Sequence, residues 1–490
     1  MNILIILSIG FLTSLLFPPY FIFPLGFIIF PYLCFFIEKK LFKPNKTELF
    51  IYSLVFSIGF FTSFLFWIHN PFLVFEETMN IVPTVILLIF TLSFIFSFVF
   101  TIILFYNKIF PIIYILPIVF VASEFIISRV SYGFPWISFS LIVSNIDFFL
   151  FLVKNFGTLT TSYLLIQIYC IPYLLLTKTF IINLKYFLIL VMSPLLFVLI
   201  LNNFIIKDEN ISNEKLIEFE IFQINKKIFT DNNYSKKILS RILGFINTSN
   251  AEVLIFSENN YPYIVNSNEI EIIQKNIKNN QLVIIGGTRL ENNNYYNSLF
   301  SITKNNYNYF DKKILVPFGE FLPFRSFLHI FEKISGPYDF SVGKKDRLIE
   351  TNHGFNFIPA ICYEIIFYWT LIKNYNFDSE LIINITNDIW FGKYIGPYQH
   401  LYLTKLRAAE LNKNIIRSSN NGISAIIDYD GKIISNSSLN KIENIRKKVN
   451  IKYKNNFYLS HFCLNIYLFN LFIIFILLNF IKKSAYQKKL

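Results

Sequence analysis

Eight long apolar runs constrain the fold of this chain more than any other feature of its sequence. They are Ile3–Phe17, Phe21–Ile37, Leu49–Ile68, Ile81–Tyr106, Ile109–Ser128, Thr161–Leu176, Tyr186–Leu201 and His461–Ile481. Most of these runs reach the roughly 17–25 residues that a helix needs to cross the hydrocarbon core of a bilayer. The composition agrees, because a chain of 490 residues that is 54% hydrophobic has more apolar surface than one soluble core can bury. The runs predict an α-helical membrane bundle of eight transmembrane helices.

The basic residues predict how these helices are oriented. The connections on one side hold Lys39, Lys40, Lys43, Lys46, Lys108, Lys178 and Lys185, and the C-terminal tail holds Lys482, Lys483, Lys488 and Lys489. On the other side, one loop holds Glu76 and Glu77, and the next holds only Arg129 and Lys154 as basic residues. Because cytoplasmic connections carry the excess of lysine and arginine, both termini are predicted to lie inside the cell.

This orientation divides the chain into three parts. Residues 1–201 are predicted to form a seven-helix transmembrane region, residues 202–460 a domain that faces outward, and residues 461–490 an eighth helix with a basic cytoplasmic tail. The net charge of +13 comes from scattered lysines and forms no basic stripe with interleaved aromatic residues, so it does not indicate a nucleic-acid partner. Glu124 lies near the outer end of the fifth run, where an acid is a functional candidate; pairing with Arg129 at the interface is at least as good an interpretation.

The outward segment alternates between strand and helix patterns. Strands are predicted over Leu216–Ile224, Glu252–Phe256, Gln281–Ile285, Asn297–Thr303, Tyr309–Leu315, Phe355–Ile361, Glu380–Thr386, Ile415–Ser418 and Ile423–Asp428, and helices over Ser235–Ile246, Glu269–Lys278, a segment containing Ile365–Ile372, and Gln399–Asn412. Gly286 and Gly287 are predicted to end the third strand. Because the alternation continues over about 250 residues, the segment is predicted to be one α/β domain.

Cys362 is the strongest candidate for a reactive group in this domain. It is the one cysteine of four that lies outside the apolar runs, so it has no disulfide partner in the polar part of the chain. The alternative is a small hydrophobic residue packed at a strand end. Glu258 also lies at a predicted strand end, and Lys312 lies in the predicted strand Tyr309–Leu315, although each has an ordinary structural explanation. Together the three residues supply a general base, a cation for an oxyanion and a thiol nucleophile.

The motifs around these residues resemble a known family. Glu258, Lys312 in Lys-Lys-Ile-Leu-Val-Pro-Phe-Gly-Glu, and Cys362 in Ile-Cys-Tyr-Glu are similar to the Glu-Lys-Cys triad of the nitrilase superfamily, and more closely to its membrane-bound apolipoprotein N-acyltransferase family. Further matching motifs are Gly133–Trp136, Asn387–Gly392, Gly396–His400, Arg407–Glu410 and Arg417–Gly422. The resemblance covers nearly the whole chain. It implies a nitrilase-like αββα sandwich for residues 202–460, on the periplasmic side of the bacterial cytoplasmic (inner) membrane.

The resemblance also implies the chemistry. Glu258 would be the general base, Lys312 would stabilise an oxyanion, and Cys362 would be the nucleophile. Cys362 would take an acyl chain from the sn-1 position of a phospholipid, phosphatidylethanolamine, as a thioester. The chain would then pass to the α-amino group of the diacylglyceryl-cysteine of an apolipoprotein. This ping-pong cycle is the last step of lipoprotein maturation in the family.

Three supporting residues follow from the same resemblance. Glu320 would orient Lys312, while Tyr363 and Glu364 would shape the pocket of the nucleophile. The polar residues of Asn384–Gly392 and Arg417–Gly422 would support this shell, and they fit equally well as turn caps. The chain is expected to be a monomer. No metal or cofactor is expected, because the five histidines lack ligand spacing and no glycine-rich phosphate loop occurs.

The chain departs from the family pattern at two places. Ser257 precedes Glu258, where the family more often has proline. The stretch Gln223–Tyr234 has only Phe229, where some relatives are expected to carry a tryptophan on a mobile arm over the active site. The second departure bears on how that arm contacts lipid, and neither changes the triad.

Two other functions are open on the residues alone. A membrane-tethered amidase would use the same triad on a small amide, but eight spans are hard to explain for a soluble substrate. A transporter or channel with a sensor domain predicts charged residues inside several helices, whereas Glu124 is the one clear case in the sequence.

Overall fold

The computed structural model describes residues 2–41, 45–106, 111–176, 215–228, 231–328, 331–336, 338–371 and 379–451. These residues belong to two compact units. Residues 2–66 and 85–176 lie in the first unit, and residues 67–84 and 215–451 lie in the second. The seventh and eighth predicted spans, Cys463, the lysine-rich tail and Phe229 lie outside the described residues.

The first unit is helical. Its helices are α1 (Asn2–Ser14), α2 (Gly26–Leu41), α3 (Lys46–Phe64), α4 (Thr84–Tyr106), α5 (Ile112–Ile127), α6 (Asp147–Tyr169) and α7 (Ile171–Leu175). Among the described residues, three segments are long and apolar enough to cross a membrane: Lys46–Phe64, Thr78–Phe105 and Asp147–Leu175. The helices of this unit are compatible with a membrane, and the total of eight spans stays a prediction.

Helix α6 begins earlier than the apolar pattern indicates. It starts at Asp147, whereas the pattern places its start at Thr161. Gly157 lies inside the helix with φ 78° and ψ 169°, a conformation that glycine adopts at low cost. The helical segment is interrupted at this residue. Its first part is therefore not recognised in the sequence as belonging to one continuous apolar run. Lys154, which we predicted in a loop, therefore lies within the helical segment.

Glu124 is buried inside the first unit. Its Oε2 accepts hydrogen bonds from the backbone N–H of Phe139 (3.0 Å) and from the hydroxyl of Ser162 (3.1 Å). These bonds connect α5 to the turn that follows it and to α6. The guanidinium of Arg129 lies 4.0 Å from the ring centroid of Phe125.

The second unit is built around two β-sheets. Its strands are β1 (Lys215–Gln223), β2 (Val253–Phe256), β3 (Ile264–Val265), β4 (Leu282–Glu291), β5 (Asn294–Ile302), β6 (Tyr307–Asp311), β7 (Phe357–Ile361), β8 (Leu381–Thr386), β9 (Asn414–Ser419), β10 (Ala425–Ile427), β11 (Ile433–Asn436) and β12 (Glu443–Ile451). The first sheet has the order β12-β1-β2-β4-β5-β6, with β3 paired to β4, and the second has the order β11-β10-β9-β8-β7. Strands β1, β2 and β4 are parallel, and so are β7, β8 and β9.

The two sheets face each other across one apolar core. Ile217 and Ile255 of the first sheet and Ile361 and Ile383 of the second belong to the same buried cluster. Strand residues of opposite parity, such as Leu254, pack on the outer side of the first sheet. This alternation is the period-two pattern of strands that are buried on both faces.

Helices cover the outer faces of both sheets. On the first sheet they are α8 (Asn232–Thr248) and α9 (Ser267–Asn276), whose isoleucines belong to the outer cluster. Helix α12 (Ile395–Leu411) contacts β9 of the second sheet, and Arg417 of β9 lies 3.3 Å from the hydroxyl of Thr404 in α12. Helices α10 (Glu332–Ser335) and α11 (Tyr368–Leu371) are single turns. The predicted αββα sandwich is confirmed.

Two of the strand ends that differ from the prediction lie next to site residues. Strand β4 does not stop at its glycine pair but continues to Glu291. The glycines are needed for space, because a Cβ on Gly286 would lie 2.6 Å from Glu258 Cα and 2.7 Å from Ser257 O. Strand β6 ends at Asp311, before the predicted end at Leu315. Lys312 therefore follows the strand instead of lying inside it.

The residues between α3 and α4 in the chain pack as part of the second unit. The indole N–H of Trp67 donates to Gln399 Oε1 at 2.9 Å, and its ring meets the ring of Phe391 edge-on at 5.0 Å. A Cβ on Gly392, which has φ +76°, would lie 2.4 Å from Asn70 Nδ2. The close approach of this segment therefore requires a glycine there, on steric as well as backbone grounds.

Candidate active site

Cys362 is the first residue after strand β7, and its backbone leaves the strand direction sharply. Its φ is +54°, in the left-handed region that costs free energy for residues other than glycine. Asn384 of the neighbouring strand β8 holds this turn by donating from Nδ2 to Ala360 O (3.0 Å) and to Cys362 O (3.1 Å). The side chain of Cys362 is buried, and the thiol is free.

Glu258 lies just beyond strand β2, next to the glycine pair of β4. Gly286 N–H donates to Ser257 O at 3.2 Å, and Tyr261 N–H donates to Gly286 O at 3.0 Å. Asn259 has φ +50°, so the chain turns directly after the carboxylate. These contacts place a buried carboxylate at the end of a parallel strand, where the sequence predicts it.

Lys312 lies just beyond strand β6, between two carboxylates. Its Nζ is 2.9 Å from Glu320 Oε1 and 3.4 Å from Glu258 Oε1. The ammonium also lies 5.4 Å from the ring centroid of Tyr363. Its backbone N–H donates to Asn297 O at 2.8 Å. Lys312 is therefore held at both its backbone and its charged end.

The loop from Lys312 to Glu320 is fixed by side chains at the site. Glu320 Oε2 accepts the backbone N–H of Val316 at 2.8 Å, while its Oε1 contacts Lys312. The hydroxyl of Tyr363 donates to Leu315 O at 2.6 Å. Glu320 and Tyr363 thus lie where the sequence predicts supporting residues, one on the cation and one beside the nucleophile.

Burial and pairing set the protonation states of the three central groups. Burial raises the pKa of Glu258, and Lys312 only partly opposes this. Burial lowers the pKa of Lys312, but the nearby Glu320 and Glu258 outweigh it and hold that pKa well above its usual value. Burial also raises the pKa of the Cys362 thiol, Glu258 adds to this effect, and Lys312 opposes it. The thiol is therefore protonated at neutral pH, and it needs a base before it can attack a carbonyl.

Asn297 is a site residue that the sequence does not identify as functional. It lies in β5, and its amide nitrogen donates to Glu258 Oε1 at 2.7 Å and to Glu320 Oε1 at 2.6 Å. An amide NH₂ has two hydrogens, so one side chain bridges both carboxylates that contact Lys312. The one signal in the sequence is an amide at the start of a predicted buried strand, which does not reveal its partners.

Glu364 connects the nucleophile to the cation. Its Oε1 accepts the backbone N–H groups of Lys313 (2.8 Å) and Ile314 (3.1 Å), and its Oε2 accepts that of Ile361 (2.9 Å). Arg347 donates to both oxygens, at 2.7 and 3.0 Å. Burial raises the pKa of Glu364, but Arg347 outweighs it and the pKa is lowered. Arg347 comes from a loop with no sequence signal and was not predicted.

A second buried charged cluster follows strand β8. Asp388 Oδ2 lies 2.6 Å from Arg417 Nη2, and its Oδ1 lies 2.9 Å from His400 Nδ1 and 3.0 Å from the hydroxyl of Thr386. Burial raises the pKa of Asp388, but Arg417 and His400 outweigh it and hold the pKa well below its usual range. Burial and Arg417 lower the pKa of His400 to about 4. The hydroxyl of Thr386 also lies 3.4 Å from Cys362 Sγ.

The structure thus brings together every residue that the sequence places at the site. The thiol of Cys362 contacts Glu258 and interacts with the charge of Lys312, and Lys312 lies 3.4 Å from Glu258. Glu320, Tyr363 and Glu364 pack around these three residues. A buried thiol beside a carboxylate and an ammonium is suited to acyl transfer through a covalent thioester. Among the described residues, no group of three or more His, Cys, Asp or Glu side chains is arranged to hold a metal ion.

Comparison with known proteins agrees with both parts of the chain. Residues 223–451 match the family model for carbon-nitrogen hydrolases. Residues 9–171 match the model for the N-terminal domain of apolipoprotein N-acyltransferases.

Individual relatives match over most of their length. The apolipoprotein N-acyltransferase of Wigglesworthia glossinidia brevipalpis is 31% identical, over 78% of this chain and 79% of the relative. That of Rickettsia prowazekii is 29% identical, over 90% of this chain and 91% of the relative. The solved CN-hydrolase superfamily protein XC1258 of Xanthomonas campestris is 12% identical, covers 48% of this chain and 91% of its own, and has a TM-score of 0.36.

Proposed function

We propose a reaction cycle for Cys362 on the premise that this chain belongs to the apolipoprotein N-acyltransferase family. The chain is accordingly a membrane acyltransferase of lipoprotein biosynthesis, with lipid and lipoprotein substrates. The single observation that carries the cycle is that the buried thiol of Cys362 contacts Glu258, whose carboxylate lies 3.4 Å from the ammonium of Lys312.

The first half of the cycle forms the thioester. Glu258 takes the proton of the Cys362 thiol, and the thiolate attacks the carbonyl carbon of the sn-1 ester of a phospholipid. Lys312 stabilises the tetrahedral oxyanion, because its ammonium is kept charged by two carboxylates. The intermediate then expels the glycerol oxygen, which receives the proton from Glu258. The products are a lysophospholipid and an acyl thioester on Cys362.

The second half transfers the acyl chain to the lipoprotein. The α-amino group of the diacylglyceryl-cysteine attacks the thioester carbonyl, and Glu258 accepts a proton from the attacking amine. Lys312 stabilises the second oxyanion. The Cys362 thiolate leaves and takes the proton back from Glu258, so the product is an amide and the enzyme is unchanged. A thioester divides the difficult acylation of an amine by an ester into two easier steps.

The supporting residues are proposed to preserve this geometry. Glu320 and Asn297 hold Lys312 and Glu258 at a fixed separation. The ring of Tyr363 presents its face to the ammonium of Lys312, and its hydroxyl donates to Leu315 O in the loop that follows Lys312. Glu364 connects that loop to Ile361, the last residue of β7, directly before Cys362.

The finer setting of the reaction is also a proposal. Phosphatidylethanolamine is the proposed donor, and the catalytic domain is placed on the periplasmic side of the inner membrane, with eight spans and a monomeric chain. The lysine distribution supports this orientation. In it, the diacylglyceryl-cysteine of an exported lipoprotein reaches Cys362 without crossing the membrane again.

A mass measurement tests the covalent step. Purified protein mixed with phosphatidylethanolamine, without lipoprotein, should gain the mass of one acyl chain on the peptide that contains Cys362. Hydroxylamine should release the chain, and a diacylglyceryl peptide should discharge it as an amide. The thioester should persist in the absence of amine, because the site is buried and water is largely excluded.

Cysteine variants provide the controls. Cys362→Ala should form no adduct, whereas replacing Cys34 or Cys170, which are buried in the first unit, should leave adduct formation unchanged. An amidase would take no acyl chain from phospholipid. A chain found on another residue, or full activity in Cys362→Ala, would refute the cycle.

A further inference from the structure

Thr386 places one hydroxyl between two acceptors at the active site. Its Oγ1 lies 3.0 Å from Asp388 Oδ1 and 3.4 Å from Cys362 Sγ. A hydroxyl carries one hydrogen, so Thr386 donates to one of these atoms at a time. The sequence assigns this residue only to a supporting run, yet its side chain contacts the sulfur that reacts.

The position of the hydroxyl oxygen is fixed while its hydrogen is free to turn. Thr386 is the last residue of β8, where it pairs with Ser419 of β9, and its carbonyl accepts the N–H of Asn420 at 2.9 Å. A β-branched side chain is stiff at χ1, and this one is fully buried. Rotation about the Cβ–Oγ1 bond therefore moves the hydrogen between the two acceptors without moving any heavy atom.

The preferred acceptor changes with the charge on sulfur. In the resting enzyme Cys362 is a thiol, which is a weak acceptor, and the ionised Asp388 is the better one. When Glu258 removes the thiol proton, Sγ becomes a buried anion. Hydrogen bonds to charged acceptors are roughly twice as strong as neutral ones. Asp388 does not lose its charge partner when the hydroxyl turns away, because Arg417 Nη2 stays 2.6 Å from Oδ2.

We propose that Thr386 is a catalytic residue whose hydroxyl turns from Asp388 to Cys362 Sγ whenever the thiolate forms. No proton is transferred in this movement; one hydrogen bond breaks and another forms. The inference rests on the proposed role of Cys362 as nucleophile.

The hydroxyl acts twice in each turnover. It stabilises the attacking thiolate in the first half of the cycle and the departing thiolate in the second. Between them the sulfur is part of a thioester and is a poor acceptor, so the hydroxyl returns to Asp388. Thr386 thereby adds a hydrogen bond to the thiolate beside the charge of Lys312, which also acts on the sulfur.

The test measures the thiolate directly. The full-length chain in detergent is alkylated with iodoacetamide across a range of pH, and the label on Cys362 is followed by peptide mass spectrometry, with Cys362→Ala as the blank. In Thr386→Val, which keeps the side-chain volume, the midpoint of the pH profile should rise by about one to two units. At a fixed pH this is a ten- to hundredfold slower reaction, or about 1.4–2.7 kcal/mol. Thr386→Ser keeps the hydroxyl and should retain the wild-type midpoint.

The charged groups that act on the thiol are Glu258, Lys312 and Asp388, and none is substituted in these variants. In Thr386→Val, Asp388 loses the hydrogen bond from Thr386 but keeps its contacts with Arg417 and His400. A wild-type midpoint in Thr386→Val would overturn the inference. So would equal shifts in Thr386→Val and Thr386→Ser, which would assign the effect to packing. If Thr386→Val does not fold, Thr386→Ala replaces it, compared with Thr386→Ser, since both lack the methyl group.

This measurement is independent of the acyl substrates. If the midpoints behave as expected but wild-type Cys362 takes no acyl chain from phospholipid, the proposed function fails and the role of Thr386 in stabilising the thiolate is supported. If the acyl thioester forms and the Thr386→Val midpoint is unchanged, the proposed function stands and this inference fails.

Discussion

Replacing Glu364 by glutamine should separate what this residue does for stability from what it does for catalysis. Glu364 and Arg347 are both fully buried, with side-chain exposures of 0% and 2%. In Glu364→Gln the cation of Arg347 is left without its counter-charge. The amide nitrogen of the new side chain also faces the backbone N–H of Ile361, which loses its acceptor.

The magnitude follows from these contacts. Removing one partner of a buried ion pair costs about 3–5 kcal/mol, and Glu364→Gln should fall at the upper end because a backbone donor is also lost. Arg347→Met should cost less, because the Glu364 carboxylate keeps the N–H groups of Lys313, Ile314 and Ile361. For a domain of this size each kcal/mol lowers the Tm by about 2–4 °C. We therefore expect Glu364→Gln to lower the Tm by roughly 10–20 °C.

The double variant Arg347→Met/Glu364→Gln supplies the decisive comparison. It removes both charges, so the cost that remains is mainly the unpaired Ile361 N–H, about 1–3 kcal/mol. The double variant should be more stable than Glu364→Gln alone. Acyl transfer should nevertheless stay low, because the side chain at position 364 still connects the loop at Lys313 less firmly to Ile361 at the end of β7. The assays are thermal unfolding of the purified chain and single-turnover thioester formation.

The same pair predicts the pH dependence of stability. The folded-state pKa of Glu364 is lowered, chiefly because Arg347 outweighs burial. A carboxyl with a depressed folded pKa stabilises the fold above its unfolded pKa, and this stability is lost as the pH falls through the folded pKa. In Arg347→Met the folded pKa rises, so acid unfolding should begin at a higher pH than in wild type. Single variants within about 1 kcal/mol of wild type, or a double variant less stable than both, would refute the reasoning.

Three further predictions follow from the site, the packing and the orientation. Glu320 helps to raise the pKa of the base Glu258, so in Glu320→Gln the base should stay deprotonated to lower pH and the acidic limb of the pH–rate profile of thioester formation should move to lower pH. An unmoved limb would exclude an effect of Glu320 on the pKa of Glu258. Trp67→Phe keeps the ring contact with Phe391 but loses the buried hydrogen bond to Gln399, so the free energy of unfolding measured by thermal unfolding should fall by about 1–3 kcal/mol. An unchanged free energy of unfolding would mean that the bond contributes nothing to stability. A reporter active only in the periplasm should give signal when fused after position 300 and none after position 483, and the reverse result would overturn the orientation.

The sequence identifies two of the reactive residues because each closes a strand, and it identifies Lys312 through its motif. Apolar strand runs end in Glu258 and Cys362, and parallel strands of an α/β domain bring their carboxyl ends to the same edge. Local pattern and motif thus locate the nucleophile, the base and the cation. The same reasoning fails at Gly286, which looks like a strand end but allows the backbone of the Glu258 turn to approach.

What the amino-acid sequence determines by itself is the apolar runs, the alternation of strands and helices and the three reactive side chains. These depend on neighbouring residues and repeat with the period of a helix or a strand. The tertiary structure decides which distant partners hold those side chains: Asn297 across Glu258 and Glu320, Arg347 on Glu364, and Thr386 against Cys362. An amide, a guanidinium or a hydroxyl can satisfy its hydrogen bonds at many places in a fold. Only the packing of two sheets and their loops fixes which of these places each group occupies.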